Sequence, residues 1–70
     1  MIDRTPVSSS NVKSVGFDSD TGTLAIEFSD GSIYHYADCS KDHYNNLLAA
    51  KSVGSYIHNN IKGVYKHSKQ

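Results

Sequence analysis

The spacing of hydrophobic positions changes once along the chain. From Val12 to Tyr36 apolar and polar residues largely alternate, and from Ser40 onward the apolar residues recur three or four apart. Val15 and Phe17 share one face of the first alternating run. Leu24, Ile26 and Phe28 share one face of the second, and Tyr34 and Tyr36 one face of the third. These runs predict strands near 12–18, 23–29 and 32–37, joined by turn-forming Asp18–Gly22 and Ser29–Gly31. Beyond Ser40, Tyr44, Leu47 and Leu48 fall at helical spacing, and Tyr56, Ile57, Ile61 and Val64 form a second stripe. They predict helices near 40–50 and 52–62, with Ser40 and Ser52 as N-caps and Gly63 as the stop. Strands followed by helices argue an α+β fold. The expected order is β-β-β-α-α: a three-stranded antiparallel β-meander followed by two short α-helices packed on one face. The expected core is Val15, Phe17, Leu24, Ile26, Phe28, Tyr44, Leu47, Leu48, Tyr56, Ile57 and Ile61. Met1 to Pro6 are expected to be frayed or loosely docked.

The turn at Ser29-Asp30-Gly31 decides where the two tyrosines point. A two-residue Asp30-Gly31 loop pairs Phe28 with Ile33 and puts Tyr34 and Tyr36 on the face opposite Phe28. A three-residue loop with Gly31 left-handed pairs Phe28 with Ser32, Ile26 with Tyr34 and Leu24 with Tyr36. The longer loop is preferred, because it gathers the apolar side chains on one face and leaves Glu27 and His35 on the other. Its one blemish is Ile33 on the outer face.

Length limits what this pattern can build. Seventy residues make one domain, with an expected ordered core of about 7–65. Such a chain buries only ~60 % of its unfolded surface, so its core is marginal. A single cysteine allows no internal disulfide. No apolar run is long enough to span a membrane and no signal peptide is visible, so a cytoplasmic protein without membrane contact is expected. Met1 is read as the start of a small complete reading frame.

The zero net charge is unevenly laid out. Residues 1–50 carry all seven acids against Arg4, Lys13 and Lys41, whereas residues 51–70 carry Lys51, Lys62, Lys66 and Lys69 and no acid. With His58, His67 and Tyr65, this end makes a basic tail suited to phosphate. The plainer account is a lysine-rich helix end that complements its own dipole.

Few side-chain sets suggest chemistry. Tyr34 and Tyr36 can stack on bases, or they can close the core over the helices. His35, Cys39 and His43 are residue types zinc accepts, but their spacing matches no regular zinc pattern, and no metal is expected. Cys39 lacks a marked activating base or oxyanion site and reads as a small buried residue. Asp18-x-Asp20-x-Gly22 begins like a calcium loop, yet Thr23 stands where the glycine belongs and Ser29 where the glutamate belongs. The Ser8–Asn11 stretch and the Ser52 helix start offer hydroxyls and N–H groups to an anion, although capping accounts for Ser52.

The ordered set Val7-Ser8-Ser9-Ser10-Asn11-Val12, Val15-Gly16-Phe17-Asp18, Leu24-x-Ile26-x-Phe28-x-x-Gly31-x-x-Tyr34-x-Tyr36, Tyr44, Ala50-x-Ser52-x-Gly54-x-Tyr56 and Ile61-Lys62 resembles the KTSC domain family. These are small domains that occur alone in bacterial and phage proteins and at the C-terminus of some lysyl-tRNA synthetases. The resemblance runs from Val7 to Tyr65. It departs at Cys39-Ser40, where the family tends to have Val-Pro, and at Phe17, where a tyrosine is usual. The family is of unknown function, so the resemblance implies a domain type rather than a reaction, and the synthetase association is a suggestion of RNA binding.

The leading expectation is a non-enzymatic binding domain for RNA or another phosphate-bearing molecule, with Tyr34, Tyr36, Ser52, Lys62 and Lys66 as ligand residues and no cofactor. The alternative is a protein-interaction or homo-oligomerising module, such as a phage-encoded host-interaction factor or a nucleotide-sequestering one.

Overall fold

The computed structural model describes residues 2–63 and 65–70, so the expected stripe position at Val64 lies outside the described residues. The elements are β1 (Thr5–Pro6), β2 (Val12–Asp18), β3 (Thr23–Phe28), β4 (Ile33–Tyr36), α1 (Lys41–Ala49), α2 (Val53–Asn60) and β5 (His67–Lys69). The fold is α+β, with one antiparallel sheet in the order β1-β2-β3-β4-β5. The expected three strands are therefore five. Both added strands are short and at the edges, and their residues are exposed, so no apolar alternation marks them.

The β3–β4 hairpin takes the longer loop. Leu24 pairs with Tyr36 and Ile26 with Tyr34. The Phe28 N–H donates to the Ser32 carbonyl at 2.8 Å and the Gly31 N–H to the Phe28 carbonyl at 2.9 Å. Gly31 has φ +92°, a conformation that costs a glycine little. Asp30 accepts from the Ser32 N–H at 2.9 Å and braces the turn.

One sheet face packs on the helices. Val12, Val15, Leu24, Ile26 and Tyr36 meet Leu47, Val53, Ile57 and Ile61 in a single buried cluster that also takes Cys39. Phe17, Phe28, Tyr44 and Tyr56 border this cluster and are only half-buried. Leu48, expected inside, is 43 % exposed. Its neighbour Leu47 takes the core-facing position, and one residue further round the helix points past the sheet.

The opposite face is covered by the N-terminal segment, which is docked rather than frayed. Thr5 pairs with Val15 and Pro6 with Ser14. Residues 2 and 3 cross Gly16, where a Cβ would run into the Asp3 carbonyl oxygen and stand 3.1 Å from Ile2 Cγ2. Ala25, opposite Gly16, is fully buried as a result. Beside it Glu27 accepts from the Ser14 hydroxyl at 3.0 Å and lies 3.9 Å from Arg4 Nε.

A candidate groove between sheet and tail

The helical layer stops before the end of the sheet. α2 ends at Asn60 with Ile61 as C-cap, and Gly63 at φ +82° turns the chain away. The chain returns as β5. The Ala37 N–H donates to the Lys66 carbonyl at 2.9 Å, and the Gln70 N–H to the Ile33 carbonyl at 2.7 Å. Register then places His67 opposite Tyr36 and Lys69 opposite Tyr34.

This return builds an aromatic wall. The Tyr34 ring lies 5.5 Å from Phe28, edge-on, and 6.5 Å from Tyr36, stacked. His67 lies 5.7 Å from both tyrosine rings. Tyr36 is 2 % exposed, whereas Tyr34 is half-buried at the margin of the helical cover. Burial pushes the Tyr36 phenol upward, with smaller contributions from Tyr34 and Cys39, so it stays a neutral hydroxyl at physiological pH. The two tyrosines thus divide the roles weighed for them: Tyr36 belongs to the core and Tyr34 offers a partly open ring.

In front of this wall is a hollow of about 390 Å³, lined also by Lys62, Asn11 and, from the β3–β4 turn, Asp30. Hydrogen bonds from Ser32 hold the Asp30 carboxyl below its ordinary value, and the strand register sets Lys69 beside Tyr34. A second hollow of about 440 Å³ adjoins it along α2, beside Gly54, His58 and Asn59.

The five expected ligand residues are therefore not all brought together. Tyr34, Tyr36 and Lys62 line one hollow. Ser52 lines neither of these two hollows; its hydroxyl accepts from the Ser55 N–H at 3.3 Å and caps α2. Lys66 shares no helix face with Lys62, because the helix has ended, and its backbone is held in the β4–β5 pairing. Ser40 takes the N-cap position of α1 without a side-chain capping bond. In the sequence Phe28 reads only as core, Asn11 only within an anion-tolerant stretch and Lys69 only within the basic tail. Asn11 and Phe28 become lining residues only through the fold, and Lys69 comes beside Tyr34 only because the tail is a strand.

The other chemistry-bearing residues serve packing. His43 lies between two tyrosines, with Nε2 2.6 Å from the Tyr65 hydroxyl and Nδ1 3.4 Å from that of Tyr56. Both contacts are satisfied when Tyr65 donates to Nε2 and Nδ1–H donates to Tyr56. Tyr65 is thereby tied to α1 just ahead of β5. Cys39 is buried, and burial, with a smaller effect from Asp38, pushes its thiol up. Among the described residues no three His, Cys, Asp or Glu side chains gather as metal ligands. Nor is any described helix long and apolar enough to cross a membrane.

This fold and sequence have clear relatives. A protein of Tsukamurella paurometabola is 33 % identical over 57 residues, covering 81 % of this chain and 85 % of that protein. A lysine–tRNA ligase of Trichormus variabilis is 38 % identical over 56 residues; these cover 80 % of this chain and 10 % of the ligase. The crystal structure of a KTSC domain protein from Yersinia pestis superposes with a TM-score of 0.95 at 33 % identity, over 100 % of this chain and 99 % of that one. The sequence profile of the KTSC domain matches residues 8–65, and the chain belongs to the KTSC domain family.

Proposed function

We propose that this protein is a non-enzymatic, cytoplasmic binding module for a phosphate-bearing ligand, with single-stranded RNA as the ligand of choice. One observation carries the reading: a partly open aromatic ring, Tyr34, and an exposed ammonium, Lys62, face the same hollow. A base stacks on a ring of this kind whatever its sequence, and a lysine meets the phosphate beside it. His67 extends the stacking surface, and Lys69 adds charge at the rim. Among the described residues the one ion pair is Arg4–Glu27, so Lys62 makes no direct ion pair, with Asp30 the one carboxylate lining the same hollow. The match to a domain-sized part of a lysine–tRNA ligase supports RNA over other phosphate carriers.

The test is titration of a ten-nucleotide single-stranded RNA at several salt concentrations. Lys62→Ala with Lys69→Ala removes two phosphate contacts, and the log–log salt slope should shrink by about 1.4. Lys66→Ala, outside the hollow, should change the slope less. No binding at low salt, or an unchanged slope in the double variant, overturns the reading.

A second reading, a protein-interaction or self-associating module, is favoured by Leu48, a large apolar side chain left 43 % exposed on α1. It includes the variant in which a small nucleotide is sequestered between subunits. Self-association through an apolar patch survives added salt, which separates it from phosphate binding.

A further inference from the structure

The two hollows adjoin. They share Asn11, Phe28 and Lys62 and differ in everything else. On one side of Lys62 the wall is aromatic, with Tyr34 and His67. On the other it is the polar face of α2, with Ser55, His58 and Asn59. At about 390 and 440 Å³, each has the size of a small-ligand cavity, typically ~300–1,000 Å³. The joint between them is well anchored. The Asn11 carbonyl accepts from the Ser29 N–H at 2.9 Å and its own N–H donates to Ser9 Oγ at 3.3 Å. Gly54 borders the second hollow beside Asn11, whose Nδ2 would lie 3.4 Å from a Cβ there.

A cation at the joint of two ring-sized spaces fits a ligand with one phosphate between two rings. We propose that the site takes a dinucleotide step, with the phosphodiester on Lys62, one base against Tyr34 and His67, and the other against His58 and Asn59. This inference rests on the reading of the groove as a phosphate-bearing ligand site and adds its size and polarity. The step can belong to a strand or to a free dinucleotide.

Charge and shape make opposite predictions here, which gives the test its power. AMP carries nearly two negative charges and one base, whereas adenylyl-(3′→5′)-adenosine (ApA) carries one negative charge and two bases. If charge alone ruled, AMP would bind more tightly. With both hollows used, ApA should bind about tenfold more tightly despite its smaller charge, since each stacked base adds that order of affinity. The measurement is calorimetric or NMR titration of the intact protein with AMP, ApA and a ten-nucleotide oligoadenylate.

His58 is exposed on α2, so His58→Ala should fold and remove most of the advantage of ApA over AMP. Tyr34→Leu, which keeps apolar volume at the core margin, should weaken both. An oligoadenylate that outbinds ApA by more than the roughly ninefold from its number of registers identifies a strand as the source. One that does not identifies a free dinucleotide. AMP binding as well as ApA, or His58→Ala weakening both equally, overturns the two-base site. If the oligoadenylate then still binds with a steep salt dependence, the groove reading survives alone. Absence of binding by all three probes overturns both.

Discussion

Gly16→Ala is the sharpest probe of the packing on the outer sheet face. Gly16 is an interior residue of β2 and its φ is not in the left-handed region, so backbone conformation does not demand glycine there. What demands it is the N-terminal segment: a Cβ would run into the Asp3 carbonyl oxygen, with the carbonyl carbon at 3.0 Å and Ile2 Cγ2 at 3.1 Å. These are mainly backbone atoms and cannot swing aside, so the segment must lift. The expected cost is about 1–3 kcal/mol, the usual range for overpacking. In a domain of this size, that is a large part of the total stability. Deleting residues 2–4 removes the obstacle. In that background an alanine in the strand interior should be better than glycine by about 0.5–1 kcal/mol, because it gives up less backbone entropy. The same substitution should therefore destabilise the full chain and stabilise the shortened one. Urea melts of the four proteins form a double-mutant cycle, and the sign change is the readout. If Gly16→Ala costs more than about 1 kcal/mol in the shortened protein as well, the segment is not the reason for the glycine.

Three further perturbations test the inner layer. Leu47→Ala empties a fully buried site between α1 and the sheet and should cost ~2–5 kcal/mol in a urea melt; a loss below ~1 kcal/mol would contradict the packing of α1. Tyr65→Phe removes the hydroxyl that meets His43 and should cost ~0.5–1.5 kcal/mol. Hydrogen exchange at the Ala37 amide, which donates to Lys66, should accelerate in that variant, and an unchanged rate would show that the tyrosine does not hold β5. Burial raises both the Cys39 thiol and the Tyr36 phenol, so the native protein keeps protons that the unfolded chain gives up. Their stabilisation is complete at neutral pH and is lost as pH climbs past the ordinary thiol value of 9.0 and phenol value of 10.0. The urea midpoint should fall through that range, with the thiol's part absent in Cys39→Ala, and a midpoint that holds or rises would refute the assignment.

The parts of the fold legible in the sequence are those where burial imposes a period. β2, β3 and β4 follow from alternation, and the β3–β4 register from the loop length that gathers the apolar side chains on one face. The helices fall within two residues of their expected ends, because Ser52 and Gly63 mark α2 and the Tyr44–Leu47 spacing marks α1. β1 and β5 were invisible for the converse reason. Thr5-Pro6 and His67-Ser68-Lys69 are held by pairing to strands already formed, and an exposed edge needs no apolar face. The groove shared this fate. Tyr34 and Tyr36 read as equivalent because register puts them on one face; only the end of α2 makes one of them core and the other margin. Lys66 was expected beside Lys62 as a ligand residue, but beyond Gly63 the chain turns back to pair with β4, and that pairing holds the Lys66 backbone.

The placement of the lysines links the fold to its proposed use. In the β4–β5 pairing, residues 66 and 70 bond inward to Ala37 and Ile33. With one-residue alternation, the backbone groups of His67 and Lys69 then face outward along an open edge. An open edge invites a second copy to pair, and lysines there are a common deterrent, since pairing would bring like charges together. Lys66 and Lys69 fill that role whether or not a ligand binds. At the other edge Pro6 has no N–H to offer, so β1 needs no such charge. A basic C-terminal edge therefore follows from keeping the sheet single, and Lys69 beside Tyr34 turns it toward the groove. The basic last twenty residues thus answer both to edge protection at Lys66 and Lys69 and to the proposed phosphate attraction at Lys62 and Lys69. Only the second explanation requires Lys62, which lies outside any strand, so Lys62 is the residue whose substitution separates the two.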